Sequence, residues 1–138
     1  MYLVDTDVIS ESRKGVKANT GVRCFFQNAT TQDTPLYISV ITLGELRRGV
    51  EKIRHRRDSF QAHHLEQWLE QLCEVYADTI LTFDKETAQV WGKLRAPLPD
   101  NPLDKQIAAT ALIHDLIVVT RNVAHFGSMG TRLLNPFD

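Results

Sequence analysis

The sequence predicts an α/β fold in which a parallel sheet is covered by helices on both faces. Three observations predict it. Short apolar runs at Tyr2 to Val4, Leu36 to Ile38, Ile80 to Phe83 and Leu116 to Val119 lack the strict alternation of a half-wet strand. Stretches with 3.6-residue apolar periodicity separate them, the order of βαβ units. At 138 residues the chain is long enough for one packed domain, residues 1–138, and too short for two ordinary ones.

The elements follow in order. Tyr2 to Val4 is a strand at the start of the chain, and Asp7 to Gln27 reads as one helix broken near Gly15 and Gly21. Leu36 to Ile38, after Pro35, is the second strand. Ser39 is a good N-cap for a helix whose inner face is Leu43, Leu46, Val50 and Ile53. A second amphipathic face (Leu65, Trp68, Leu69, Leu72, Val75, Tyr76) marks a long helix ending near Asp78, and the two helices form a hairpin. Ile80 to Phe83 is the third strand, after which Asp84 caps a helix holding Ala88, Trp91 and Leu94. Asn101-Pro102 opens another helix, with proline at its favoured first position and Leu103, Ile107, Ala111 and His114 facing inward. Leu116 to Val119 is the fourth strand and Arg132 to Leu134 a short last one.

Composition narrows the function. Hydrophobic residues at 43% and charged residues at 24% suit a globular domain. No apolar run approaches the ~18 residues of a membrane span, and MYLVDTDV lacks the basic-then-apolar order of a secretory signal. Cytoplasmic residence is therefore the expectation. Cys24 and Cys73 have no CxxC spacing and are expected to be reduced, buried thiols. The net charge of −1 hides an asymmetry. From Arg47 to Arg57 six basic residues face one acid, a local +5 that leaves −6 on the rest. Such a body argues against general nucleic-acid coating and permits a directed phosphate contact.

Ligands in open α/β sheets bind beyond the carboxyl ends of the strands. Asp5 ends the first strand, Glu45 lies about two turns into the helix after the second, and Asp104 opens the helix feeding the fourth. Clustered carboxylates repel without a cation, so convergence of these three would call for Mg2+ or Mn2+. Each acid also has a plain structural role open to it. Asp5 or Asp7 could cap the first helix, Asn101 and Asp104 could form a reciprocal cap, and Glu45 alone would be a solvated helix residue.

Four ordered segments carry a resemblance. Leu3-Val4-Asp5-Thr6-Asp7-Val8-Ile9-Ser10 resembles the opening of PIN-domain proteins of the VapC/FitB toxin type. Ile41-Thr42-Leu43-Gly44-Glu45-Leu46-Arg47-Arg48-Gly49, Leu103-Asp104-Lys105-Gln106-Ile107-Ala108-Ala109-Thr110-Ala111 and Val119-Thr120-Arg121-Asn122-Val123-Ala124-His125-Phe126 resemble their second, third and fourth motifs, and Leu134-Asn135-Pro136-Phe137 their close. The resemblance implies a three-layer α/β/α sandwich and an endoribonuclease of a toxin–antitoxin module that uses Mg2+ or Mn2+. It implies a homodimer restrained by a cognate antitoxin that covers the acidic site. Asp5, Glu45 and Asp104 would be the catalytic, metal-binding acids, with Asp7, Thr120 and Asn122 as supporting polar groups. Arg47 and Arg48, close after Glu45, would contact RNA phosphate or antitoxin acids. One departure stands out. Where many relatives carry a fourth acid, this chain has Asn122 and His125, so a single ion held by three acids is expected. His125 could contact phosphate or shuttle a proton, though it reads first as a surface histidine.

Other readings fare less well. Asp5-Thr6-Asp7-Val8 also resembles the first motif of haloacid-dehalogenase-type phosphatases, but the 18 residues beyond Thr120 hold no Lys and one acid, Asp138. His63 and His64, ~100° apart on a helix, do not suit one zinc ion. Glu66, Glu70, Glu74 and Asp78 form an acidic stripe expected to pair with Arg54, Arg56 and Arg57 across the hairpin. A non-catalytic PIN module binding RNA or protein remains the alternative function.

Overall fold

The computed structural model describes residues 1–138. Five strands form one sheet: β1 (Tyr2–Val4), β2 (Leu36–Ser39), β3 (Ile80–Leu81), β4 (Ile117–Val119) and β5 (Leu133–Leu134). Their order is β3-β2-β1-β4-β5, and every neighbouring pair is parallel. Helices α1 (Thr6–Ser12), α2 (Thr20–Thr31), α3 (Val40–His55), α4 (Ser59–Val75), α5 (Lys85–Arg95), α6 (Pro102–His114) and α7 (Val123–Phe126) complete the chain, with one 3-10 turn at Gly15–Lys17.

Side chains alternate across the strands, and this sorts the core into two layers. Val4, Ile38 and Val119 pack under Val8, Ile9, Val22, Leu46, Val50, Leu69 and Leu72 from α1 to α4. Leu3 and Val118 point the other way, onto Ile107, Ala108, Ala111, Phe126 and Met129. The result is the expected three-layer α/β/α sandwich. No helix is long and apolar enough to cross a membrane.

Several local expectations change. The first helical stretch does break at Gly15, which has φ +60, but Gly21 lies inside the first turn of α2. Its role is close approach, since a Cβ there would stand 2.1 Å from the Pro136 carbonyl oxygen. Gly21→Ala should therefore unseat the C-terminal segment and cost about 1–3 kcal/mol of stability, read by urea unfolding. A shift within about 0.5 kcal/mol would contradict that packing. β3 stops at Leu81 because Phe83 leaves the sheet to meet the Trp91 ring edge-on at 6.2 Å. The long helix α4 ends at Val75, three residues before Asp78, and the chain turns through a Thr79-to-Tyr76 hydrogen bond into β3.

Leu103 and His114 are exposed, not inward. They sit in the terminal turns of α6, outside its buried run Ile107–Ala111. Cys24 is exposed and Cys73 half-buried, which corrects the expectation of buried thiols. Cys24 lies roughly 200° around α2 from the buried Val22, so it faces solvent. Across the α3–α4 hairpin, Glu66 pairs with Arg54 and with Arg47 (3.6 Å), and Glu51 with the same two arginines. Arg56 and Arg57 take no part in that network, and neither do Glu70, Glu74 and Asp78.

Candidate active site

The chain leaves β1 for β2 on one side and later returns to place β4 on the other. Strand order thus reverses between β1 and β4, and a crevice opens beyond their carboxyl ends. Asp5 stands at that point. Its N–H continues the ladder to the Val119 carbonyl at 2.9 Å, and its extended backbone turns directly into α1. Its carboxylate accepts from the Thr6 N–H at 2.8 Å and from the Thr120 hydroxyl at 2.8 Å. Asp5 is therefore both the cap of α1 and a group fixed at the rim, so the two roles weighed for it coexist.

Burial is the main influence on this carboxyl. At 3% exposure, with the Asp7 charge and more weakly Asp104 adding repulsion, its pKa is pushed up to about 7 against the pull of the Thr120 and Thr6 hydrogen bonds. Asp7 is not a cap. Its Oδ2 accepts from the Arg121 N–H at 3.0 Å, which ties α1 to the loop after β4. The other oxygen, Oδ1, is buried without a hydrogen-bond partner. Burial raises the Asp7 pKa, with Asp104 adding to it and the Arg121 and Val8 N–H groups opposing.

Glu45 reaches the same rim from α3, which Ser39 starts by accepting from the Ile41 N–H at 3.0 Å. The Thr6 hydroxyl lies 2.8 Å from Glu45 Oε1 and 3.2 Å from the buried Thr42 hydroxyl. A carboxylate can only accept, so the Thr6 proton goes to Glu45 and Thr42 donates to Thr6. Half-burial raises the Glu45 pKa, the Asp104 and Asp7 charges add to it, and Arg48 opposes them with Thr6. Arg48 is thus the arginine that Glu45 senses, whereas Arg47 is engaged by Glu51 and Glu66.

Asp104 completes the rim from the first turn of α6. The reciprocal cap does not form. Asn101 has φ +53 and makes no side-chain hydrogen bond to the helix. Asp104 Oδ2 instead lies 2.7 Å from His125 Nδ1. Facing a carboxylate, that nitrogen carries the proton, and Nε2 remains as the ring's outer polar atom. His125 is exposed, as expected of a surface histidine, and it also joins the site through Asp104. Asn122 supports the rim through its main chain, donating its N–H to the Thr120 hydroxyl at 3.0 Å.

The Asp7 and Asp104 charges act on both Asp5 and Glu45, and that of Asp104 on Asp7, so the four acids share one rim, each held by a hydroxyl, N–H or imidazole. As the side chains stand, no three His, Cys, Asp or Glu groups are gathered closely enough to hold one metal ion. Thr6, Arg121 and His125 are the partners that reading the sequence missed. Thr6 had a local signal, a hydroxyl between two acids; the other two depend on loop geometry after β4.

A family model described as PIN domain matches residues 2–127. The toxin FitB of Neisseria gonorrhoeae is 30% identical over 142 residues, with 99% of each chain covered. The VapC ribonuclease Y4jK of Sinorhizobium fredii is 32% identical over 145 residues, covering 100% of this chain and 99% of that one. In the crystal structure of FitAcB from Neisseria gonorrhoeae, a chain 32% identical superposes with a TM-score of 0.85, covering 99% of this chain and 98% of that one. Parallel strand order, the carboxylates at the switch point and a match across nearly the whole chain agree. The chain belongs to the PIN-domain family.

Proposed function

We propose that this protein is a metal-dependent endoribonuclease, the toxin of a toxin–antitoxin module, with Asp5, Glu45 and Asp104 as its metal-binding acids. The observation that carries the reading is the rim itself: four carboxylates that repel one another, three with raised pKa values, and Asp7 Oδ1 buried without a partner. Uncompensated negative charge of this kind is costly, and a divalent cation relieves it. The donors are all oxygen, the set that Mg2+ and Mn2+ prefer. FitB is named a toxin and Y4jK a ribonuclease, which supports carrying both roles to this chain.

When bound, the ion would supply charge neutralisation at the phosphodiester and a more acidic water. The protein's own groups do the positioning. Thr120 and Thr6 hold Asp5 and Glu45 at fixed orientations. Glu45 Oε1 accepts from Thr6, so Oε2 is the atom left to bind the ion or orient its water, and the water's proton passes to solvent. In-line attack then forms a new P–O bond and breaks the bond from phosphorus to the 3′ oxygen, which takes a proton from solvent. The products are 5′-phosphate and 3′-hydroxyl ends. His125, fixed through Nδ1, offers Nε2 to a phosphate oxygen.

A homodimer and a cognate antitoxin that covers the acidic rim belong to the same proposal, as does cytoplasmic residence. The second reading, a non-catalytic module binding RNA or protein, draws on His125 occupying Asp104 Oδ2, where many relatives add an acid, and on the open arrangement of the acids. One assay separates the two. RNA incubated with the purified protein and Mg2+ or Mn2+ should be cut, EDTA should stop it, and Asp104→Asn should lower the rate at least about 100-fold. Cleavage that survives EDTA and Asp104→Asn, or 2′,3′-cyclic phosphate ends, would sink the proposed site. Absence of cleavage with RNA binding retained would establish the binding module.

A further inference from the structure

Away from the acidic rim, the α3–α4 turn carries charge and aromatic surface that the carboxylates do not use. The acids beside it are already engaged. Glu51 and Glu66 are taken by Arg47 and Arg54, and Asp58 accepts from the Gln61 N–H at 3.1 Å as the cap of α4. Lys52, Arg56 and Arg57 are exposed and make no ion pair. Lys52 and Arg56 stand four apart, on one face of α3.

The backbone of the turn adds an independent observation. The Asp58 N–H donates to the Ile53 carbonyl at 3.3 Å and the Arg57 N–H to that of Arg54 at 3.0 Å, the paired bonds of a Schellman ending. Arg57 occupies its left-handed position, with φ +65, where glycine is the unstrained choice. An arginine there bears a steric cost, and its side chain makes no hydrogen bond or ion pair within the fold to offset it. Across the turn Phe60 is 78% exposed, its ring edge-on to His64 at 5.2 Å. Unpaired cations beside an exposed aromatic, on a chain of net charge −1, match single-stranded nucleic acid: phosphates meet the cations and a base stacks on the ring.

We propose that the α3–α4 turn, through Lys52, Arg56, Arg57 and Phe60, is a second contact surface for single-stranded RNA, outside the carboxylate rim. The proposal rests on the ribonuclease reading only for its choice of RNA. Arg56, the C-cap of α3, lies eleven positions beyond Glu45, about 16 Å of helix, or about five nucleotides of stacked strand. The turn would therefore hold flanking sequence and favour longer RNA over the shortest fragments.

The test is fluorescence anisotropy of the full chain in EDTA, where binding is read without cleavage, with labelled RNAs of about twelve and about three nucleotides. Replacing Lys52 and Arg56 by Ala and Arg57 by Gly should weaken binding of the longer RNA at least about tenfold and flatten its log Kd against log salt slope by about 2. The trinucleotide should be unaffected. Phe60→Ala should cost the longer RNA about fivefold or more. Because Arg57→Gly relieves a left-handed residue, thermal stability should hold or rise, so a loss of binding cannot be blamed on unfolding. Unchanged binding of the longer RNA by the triple variant would overturn the proposal, as would a wild-type chain that binds no RNA. Lost affinity for an acidic peptide with RNA affinity unchanged would overturn it in favour of a protein partner. A chain that binds through the turn yet cuts nothing would uphold it and refute the nuclease reading instead.

Discussion

Replacing Asp5 by Asn is expected to abolish RNA cleavage and, in the same protein, to raise the stability of the metal-free fold at pH 8. The second effect follows from the first residue's surroundings. Buried beside Asp7, the Asp5 carboxyl keeps its proton to about pH 7 in the folded state, against an ordinary 3.8. Between those values the folded chain binds more protons than the unfolded one, so stability falls as pH rises. The loss is complete above about 7 and absent below the ordinary value, and its full size is on the order of 4 kcal/mol. Asparagine keeps the Thr6 and Thr120 contacts within reach but carries no charge, and so escapes most of it. Urea unfolding in EDTA from pH 4 to 8 should show the wild type stabilising on acidification and Asp5→Asn doing so with a clearly shallower slope. Part of the slope will persist in the variant, because Asp7 and Glu45 shift in the same direction. A variant less stable than the wild type at pH 8 would contradict the account. Function here opposes stability: the charge that suits the rim to a cation strains the fold without one.

Phe126→Ala should have the largest purely structural effect, about 3–5 kcal/mol. Phe126 heads the fully buried side chains by size and packs with Leu3, Ile107, Leu116 and Val118 on one face of the sheet. It is also what holds α7. A four-residue helix has no stability of its own, and this one is held in place by that ring and by the Met129 N–H to Phe126 carbonyl hydrogen bond at 3.1 Å. His125 is the neighbouring residue, so losing the ring should also release the Asp104 contact. The expected result is a large fall in the urea midpoint, with Phe126→Leu recovering all but about 1.5 kcal/mol. A loss under about 1 kcal/mol in the alanine variant would show that α7 is held by something else.

Much of the fold was legible because local physics dictates it. Apolar runs of strand length, Ser39 and Asp84 as caps, and Pro102 at a helix start all act within a few residues, and the structure realises each of them. The parallel, doubly covered sheet followed from the alternation of elements. Boundaries were less legible where a side chain had a distant appointment. Phe83 leaves β3 for Trp91, and Gly21 serves the Pro136 carbonyl, more than 100 residues away in sequence. The acidic stripe on α4 was visible, but its partner choice, Arg47 and Arg54 over Arg56 and Arg57, depended on how the hairpin packs.

At the rim the same division holds. The sequence by itself determined which carboxylates exist, that Asp5 ends a strand, and that Glu45 and Asp104 ride on helices, in segments that resemble PIN-domain motifs. Only the tertiary structure decided what each acid touches. It joined Thr120 to Asp5, Arg121 to Asp7 and His125 to Asp104. It also refused the Asn101–Asp104 cap that local spacing allowed. The physical reason is that capping and periodicity are short-range, whereas the charge and burial of a carboxylate depend on groups brought in from across the sheet. Asp5 is the clearest case: its place at the end of β1 is written in eight residues, and its pKa near 7 is set by the burial, the neighbouring acids and the Thr120 hydroxyl that the fold gathers around it.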